Sequence, residues 1–163
     1  MVLFNLLDQY GFYAVHHNNK INKLLHIVVI PVVIFTFRIS TLVALALSSY
    51  CVYLDTKIGV ITSIWIMLTD YLANSKIDNL GLEKATTDGI SLLGISLVLL
   101  IIGHLIFEGI TPGLPSEPLA MFVAPLFITM ELLFMLGFLN QQRLKFQCRI
   151  NSYCKYRIIY INL

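Results

Sequence analysis

The chain has 163 residues, of which 58% are hydrophobic and only 12% charged. Soluble domains run about 45–50% apolar and about 25% charged, so half of the usual charge is missing, and the mean hydropathy of +0.82 agrees. These figures exclude disorder, a coiled coil, a collagen-like fibre and a disulfide-stapled mini-protein, and a net charge of +2 is too small to argue for nucleic acid. One domain is expected at this length, and its apolar surplus exceeds what one soluble core can hide, so the composition predicts a membrane protein.

The three cysteines, Cys51, Cys148 and Cys154, form no CxxC pair and no metal-ligand spacing. Cys51 lies in an apolar run, where a buried inert thiol is the default, and the other two lie in a basic tail. No cleavable signal peptide is expected, because the first residues lack a basic stretch and Asp8 interrupts the apolar ones. An internal span must then direct the chain to the membrane.

In chain order, residues 1–23 read as an amphipathic, partly aromatic lead that suits an interface plane, with Leu3, Phe4, Leu6, Leu7, Tyr10, Phe12 and Tyr13 set among Asn5, Asp8 and Gln9. Asn22 is expected to cap the apolar run that follows. Residues 27–54 are almost continuously apolar but hold Pro31 and Arg38; 58–73 form a second block ending near Asp70; 74–88 read as a polar loop. Residues 89–107 are the cleanest span, and after the turn TPGLPSEP (111–118) residues 119–139 form the last. A spanning helix needs about 20 apolar residues, so the fold class is all-α, an integral membrane bundle with four to five membrane-embedded helices. Residues 1–140 are expected to form a single membrane-embedded domain with an interfacial N-terminal segment, and 141–163 a basic tail.

Whether the count is four or five turns on 27–54. As one helix these 28 residues would be about 42 Å long, and Arg38 in mid-hydrocarbon costs about 2.5–3.5 kcal/mol; a break near 38–41 avoids both. Charge placement pulls the other way. With four spans Lys20, Lys23, Lys76, Lys84 and the basic residues after Asn140 all share one side, as the positive-inside bias expects.

Four histidines are candidates for chemistry: His16, His17, His26 and His104. His104 lies within a span, and an ionisable group there is a functional candidate. Taken singly, each histidine is more often a hydrogen-bonded polar residue than a metal ligand. His17 and His26 are nine apart, on opposite sides of an unbroken helix, so they converge only across a break. His104 and Glu108 are four apart and share one helix face. Imidazole beside carboxylate suits iron, zinc or copper, and open sites of that kind are typical of non-haem Fe(II) oxygenases.

These residues carry a family resemblance. FYAVHHNNKINKLLHIVVIP (12–31), with Tyr13, His17, Asn22, His26 and Pro31 in register, resembles the signature of the yeast-type 2-hydroxy fatty acid dioxygenase family. IGHLIFEGITPGL (102–114) resembles its GHxxFE block through Gly103, His104, Phe107, Glu108 and Pro112, and APLFITMELLFMLGF (124–138), with Glu131, resembles its last span; YLD at 53–55 fits as well. The family's connecting stretch between its first two apolar segments is reduced here to Arg38-Ile39-Ser40, and 141–163 resembles nothing in the family.

The resemblance implies an Fe(II)-dependent enzyme of the endoplasmic reticulum membrane. It acts on a long-chain 2-hydroxy fatty acid and O2, and its α-oxidation step releases a fatty acid one carbon shorter, a reaction that serves phytosphingosine breakdown in yeast. It implies His17, His26 and His104 as iron ligands and Glu108 as a catalytic-site carboxylate, either ligand or orienter; His16 stands where the yeast protein has tyrosine. Asp70 and Glu131 are intramembrane acids without an assigned role. The alternative is a non-catalytic helical scaffold or small transporter, and convergence of the three histidines discriminates the two.

Overall fold

The computed structural model describes residues 5–37, 41–111 and 120–147, and every regular element among them is a helix. Helix α1 (Leu6–His16) starts at Asn5, whose Oδ1 accepts the amides of Leu7 and Asp8 at 3.0 and 3.2 Å. The chain then bends by 114° into α2 (Lys20–Phe37). The residue that closes this bend is Asn19, whose Oδ1 accepts the Ile21 amide at 2.8 Å. Asn22, expected as the cap, lies inside the first turn of α2. A cap must precede the helix so that its side chain can reach the orphan amides two or three residues ahead, and Asn19 is so placed.

The long apolar run divides into α2 and α3 (Thr41–Leu54); Arg38, Ile39 and Ser40 lie outside the described residues. Helix α3 folds back tightly on α4 (Thr56–Leu80). Asp55 caps α4 by accepting the Ile58 amide at 2.9 Å, and Gly59 lets the helices close: a Cβ there would stand 2.3 Å from the Cys51 carbonyl oxygen. The polar stretch 74–88 is not the expected loop. Helix α4 runs to Leu80 and α5 (Leu82–Gly103) begins at Leu82, with Gly81 alone between them at φ 77° and ψ 159°. That conformation is open essentially to glycine only, and the lysines, glutamate and alanine around it are tolerated well in helix.

Residues His104–Glu108 widen into a π turn, which Gly109 ends at φ 66°. Helix α6 (Ala120–Met135) follows and bends by 116° into α7 (Asn140–Gln147). Helix α2 packs on α5, α6 and α4, while α1 packs on α6. The core gathers Tyr10 and Tyr13 of α1, Cys51, Ile58 and Ile66, and Leu126, Phe127, Met130 and Phe134 of α6. Phe146 of α7 joins it with its ring centroid 4.7 Å from that of Tyr10, so the basic tail begins as a packed helix.

Some buried polar groups tie helices together through hydrogen bonds. Thr62 and Trp65 both donate to Thr129 Oγ1, at 3.0 and 2.9 Å. Asp70 accepts from Thr41 Oγ1 at 2.9 Å, which gives that acid a structural role in tying α3 to α4. Outside, the surface is apolar: Ile90, Ile95, Val98, Ile101, Leu105 and Ile106 are all exposed. The segment Leu82–Glu108, 27 residues and about 40 Å long, is long and apolar enough to cross a membrane by itself. The number of such spans rises to three if each bent pair, α1–α2 and α6–α7, counts as one. The expected four to five spans exceed that number, because α3 is only 14 residues long and α4, though 25 residues long, mixes its apolar residues with Lys57, Asp70, Lys76 and Asp78.

Candidate metal centre

Three helices bring His17, His26 and His104 together. His17 stands in the break after α1, His26 faces it from the second turn of α2, and His104 opens the π turn after α5. The break resolves the problem of their nine-residue separation, since two helices 114° apart can each aim a side chain at one point. One candidate ligand atom from each histidine lies within 4.8 Å of the others. The rings meet edge to face, with centroids 4.5 Å apart for His17–His26, 4.6 Å for His17–His104 and 5.0 Å for His26–His104. His26 and His104 are buried.

The hydrogen bonds fix which nitrogens face inward. His17 Nδ1 is 2.9 Å from the Tyr13 carbonyl and His26 Nδ1 is 2.8 Å from the Asn22 carbonyl. A carbonyl oxygen only accepts, so both Nδ1 atoms carry the hydrogen and both Nε2 atoms of the neutral rings present lone pairs. Those two Nε2 atoms stand 3.1 Å apart. Neither has a hydrogen to give, so the contact is repulsive until a cation enters it. His104 Nδ1 is buried without a hydrogen-bond partner among the described residues.

This donor set fits a metal ion. Nitrogen ligands lie about 2.0–2.1 Å from such an ion, so two that share one stand no more than about 4.2 Å apart, and the 3.1 Å pair meets that limit. The widest separation of 4.8 Å is a little longer, within reach of a small turn of one ring. An N–H held by a backbone carbonyl is also the usual support for a ligating histidine.

Glu108 is not among the converging ligand atoms. Its Oε1 accepts the Asn19 amide at 2.8 Å and Asn22 Nδ2 at 3.1 Å, so it ties the π turn to the break and to α2. The π turn matters here, since such widenings often sit at functional sites. Gly103 lets α2 come close: a Cβ there would lie 2.6 Å from Leu25 Cδ2 and 2.8 Å from Asn22 Oδ1. Tyr13 stacks on His17 at 4.1 Å with the rings 13° from parallel. His16 is half-buried and bonds the Phe12 carbonyl at 3.0 Å; it stands outside the three-histidine group. Pro112 lies outside the described residues.

Sequence reasoning missed a second cluster beside this one. Glu131, flagged only as an intramembrane acid, is buried and accepts Tyr10 Oη–H at 2.6 Å while pairing with Lys23 Nζ at 2.8 Å. The available signal was that a carboxylate in apolar surroundings needs a partner; which partner was invisible at separations of 121 and 108 residues.

Fold and site thus define an all-helical, apolar-surfaced protein with a three-histidine nest set where a break, a helix and a π turn meet. A family model described as "2-hydroxy-palmitic acid dioxygenase Mpo1-like" matches residues 3–136. The chain belongs to this Mpo1-like family. It is 27% identical over 154 residues to the 2-hydroxy-palmitic acid dioxygenase MPO1 of Saccharomyces cerevisiae, covering 84% of each chain. No solved structure matches it.

Proposed function

We propose that this protein is an Fe(II)-dependent dioxygenase of the endoplasmic reticulum membrane that shortens long-chain 2-hydroxy fatty acids by one carbon. The observation that carries the proposal is the pair of inward-facing Nε2 lone pairs at 3.1 Å, with His104 completing the nest. His17, His26 and His104 hold the ion, and Glu108 holds the break and the π turn that present them. Bound iron supplies the one-electron chemistry toward O2 that no side chain offers. The overall conversion balances when a 2-hydroxy acid and O2 give the acid one carbon shorter, with the carboxyl carbon leaving as carbon dioxide and the remaining oxygen as water.

The residues explain why such a site belongs among apolar helices. The head group of the substrate is polar, while its chain matches the exposed Ile, Leu and Val of α5. The nest lies at the C-terminal end of that spanning segment, where a lipid-like molecule can keep its chain in hydrocarbon and its carboxylate near the interface. Tyr13 shields one ring face of His17 from water. Helices α2, α3, α4 and α6 embed beside α5 as a multi-pass bundle, and residues 1–140 act as one unit.

The test is metal content and turnover of the detergent-purified protein. His17→Ala, His26→Ala and His104→Ala should each lose stoichiometric iron and all consumption of 2-hydroxypalmitate, whereas His16→Ala should keep both. Iron content and activity that survive any of the first three changes would overturn the reading.

A further inference from the structure

Glu131 sits on α6, far in sequence from every histidine, yet one of its two partners lies on α1, which leads into His17, and the other on α2, which carries His26. Tyr10, on α1, donates to Oε1 at 2.6 Å. It lies seven residues before His17 and three before Tyr13, hence on the same face as both. Tyr13 in turn stacks on His17 and supplies the carbonyl that holds its Nδ1. Lys23, on α2, pairs with the same Oε1 at 2.8 Å and lies three residues before His26. One carboxylate oxygen therefore pins both helices, each within two turns of its histidine.

We propose that Glu131 is a positioning residue that sets the spacing of the histidine nest from α6, using Tyr10 to orient α1 and Lys23 to orient α2. This rests on the metal reading above. The pairing is an expensive way to hold two helices together for stability alone, since a buried ion pair often gains little over apolar side chains of similar volume. Its geometry is directional, however, and a charge-assisted bond fixes angle as well as distance. Each helix also has its own anchor on α6, apart from Glu131: Tyr10 and Tyr13 rest on Phe127, and Ile30 and Ile34 pack around Ile128. Loss of the carboxylate should therefore leave the fold standing and loosen the nest.

The experiment loads Co(II), a spectroscopic probe of ligand geometry, into the detergent-purified full chain and measures its affinity and its visible absorption. Wild type should bind one ion, and His26→Ala should not. Glu131→Gln should keep its helical circular dichroism, bind Co(II) about tenfold or more weakly, as is usual when a group supporting the ligands is lost, and shift the absorption band. Tyr10→Phe, which removes one hydroxyl and retains the ring packing, should move both readouts the same way by a smaller amount and serves if Glu131→Gln does not fold. Thr129→Ala on the same helix, which loses its bonds to Thr62 and Trp65, should lower thermal stability and leave Co(II) affinity and spectrum unchanged. Wild-type affinity and spectrum in Glu131→Gln, or in Tyr10→Phe where only that variant folds, would overturn the positioning role alone. Failure of the wild type to bind, or binding untouched by His26→Ala, would overturn the metal reading and this proposal with it.

Discussion

At the scale of single residues, the site depends on which atoms have hydrogens to give. Backbone carbonyls at Tyr13 and Asn22 take the Nδ1 hydrogens of His17 and His26, and this alone turns two lone pairs toward each other. Glu108 does the complementary job by accepting from Asn19 and Asn22. Replacing it by alanine leaves those donors without their acceptor. The expected cost is about 1–3 kcal/mol in thermal unfolding, together with a loss of iron affinity of about tenfold or more. Glu108→Gln keeps an acceptor oxygen and should cost less on both measures; equal losses would argue that its charge, not its bonding, matters. Asn22 shows how far residue-scale reading reached. Its type marked a polar role beside the histidines, but only the partner across the π turn revealed that role to be a bond to Glu108 rather than a cap.

At the scale of elements, close approach is set by glycine at two crossings. Gly103→Ala would drive a Cβ against Leu25 and Asn22, both side chains able to yield in part, so we expect a loss of about 1–3 kcal/mol and reduced iron retention, because His104 is the next residue. Gly59→Ala meets backbone at the Cys51 carbonyl, which cannot rotate away, and should destabilise more than Gly103→Ala while disturbing the α3–α4 hairpin and not the nest. Chemical denaturation beside metal analysis separates the two: a variant that loses iron before it loses helix marks the α2–α5 crossing. A break in 27–54 was expected from its length and from Arg38, and the described residues give separate helices on either side, Lys20–Phe37 and Thr41–Leu54. The hairpin at Gly81 was not, because charged residues in 74–88 look like a loop whenever polarity is read without helix propensity.

At the scale of the whole molecule, the exposed apolar surface predicts burial in a bilayer, and the charged hairpin around Gly81 should stand outside it. With the native cysteines replaced, Asn79→Cys should react with a membrane-impermeant maleimide in microsomes and Ile95→Cys should not; equal labelling of both would reject α5 as a span. Treatment with a strong chelator should abolish turnover, and Fe(II) should restore it where Zn(II), which has no redox chemistry, should not.

What the sequence determined by itself is the class of the molecule and its chemical inventory. Composition points to apolar surroundings, run length to helices, and the spaced blocks around His17, His26 and His104 carry the family resemblance that implies them as ligands, since all of these depend on residue identity and short-range order. What only the tertiary structure decided is how those residues meet: the 114° break at His17–Asn19, the π turn that lets Glu108 reach across to α2, and the Glu131 pairing with Tyr10 and Lys23. The first sets the angle between neighbouring helices, and the other two join segments tens of residues apart. Such contacts arise from the packing of whole helices, and the local sequence around each partner is compatible with many other arrangements.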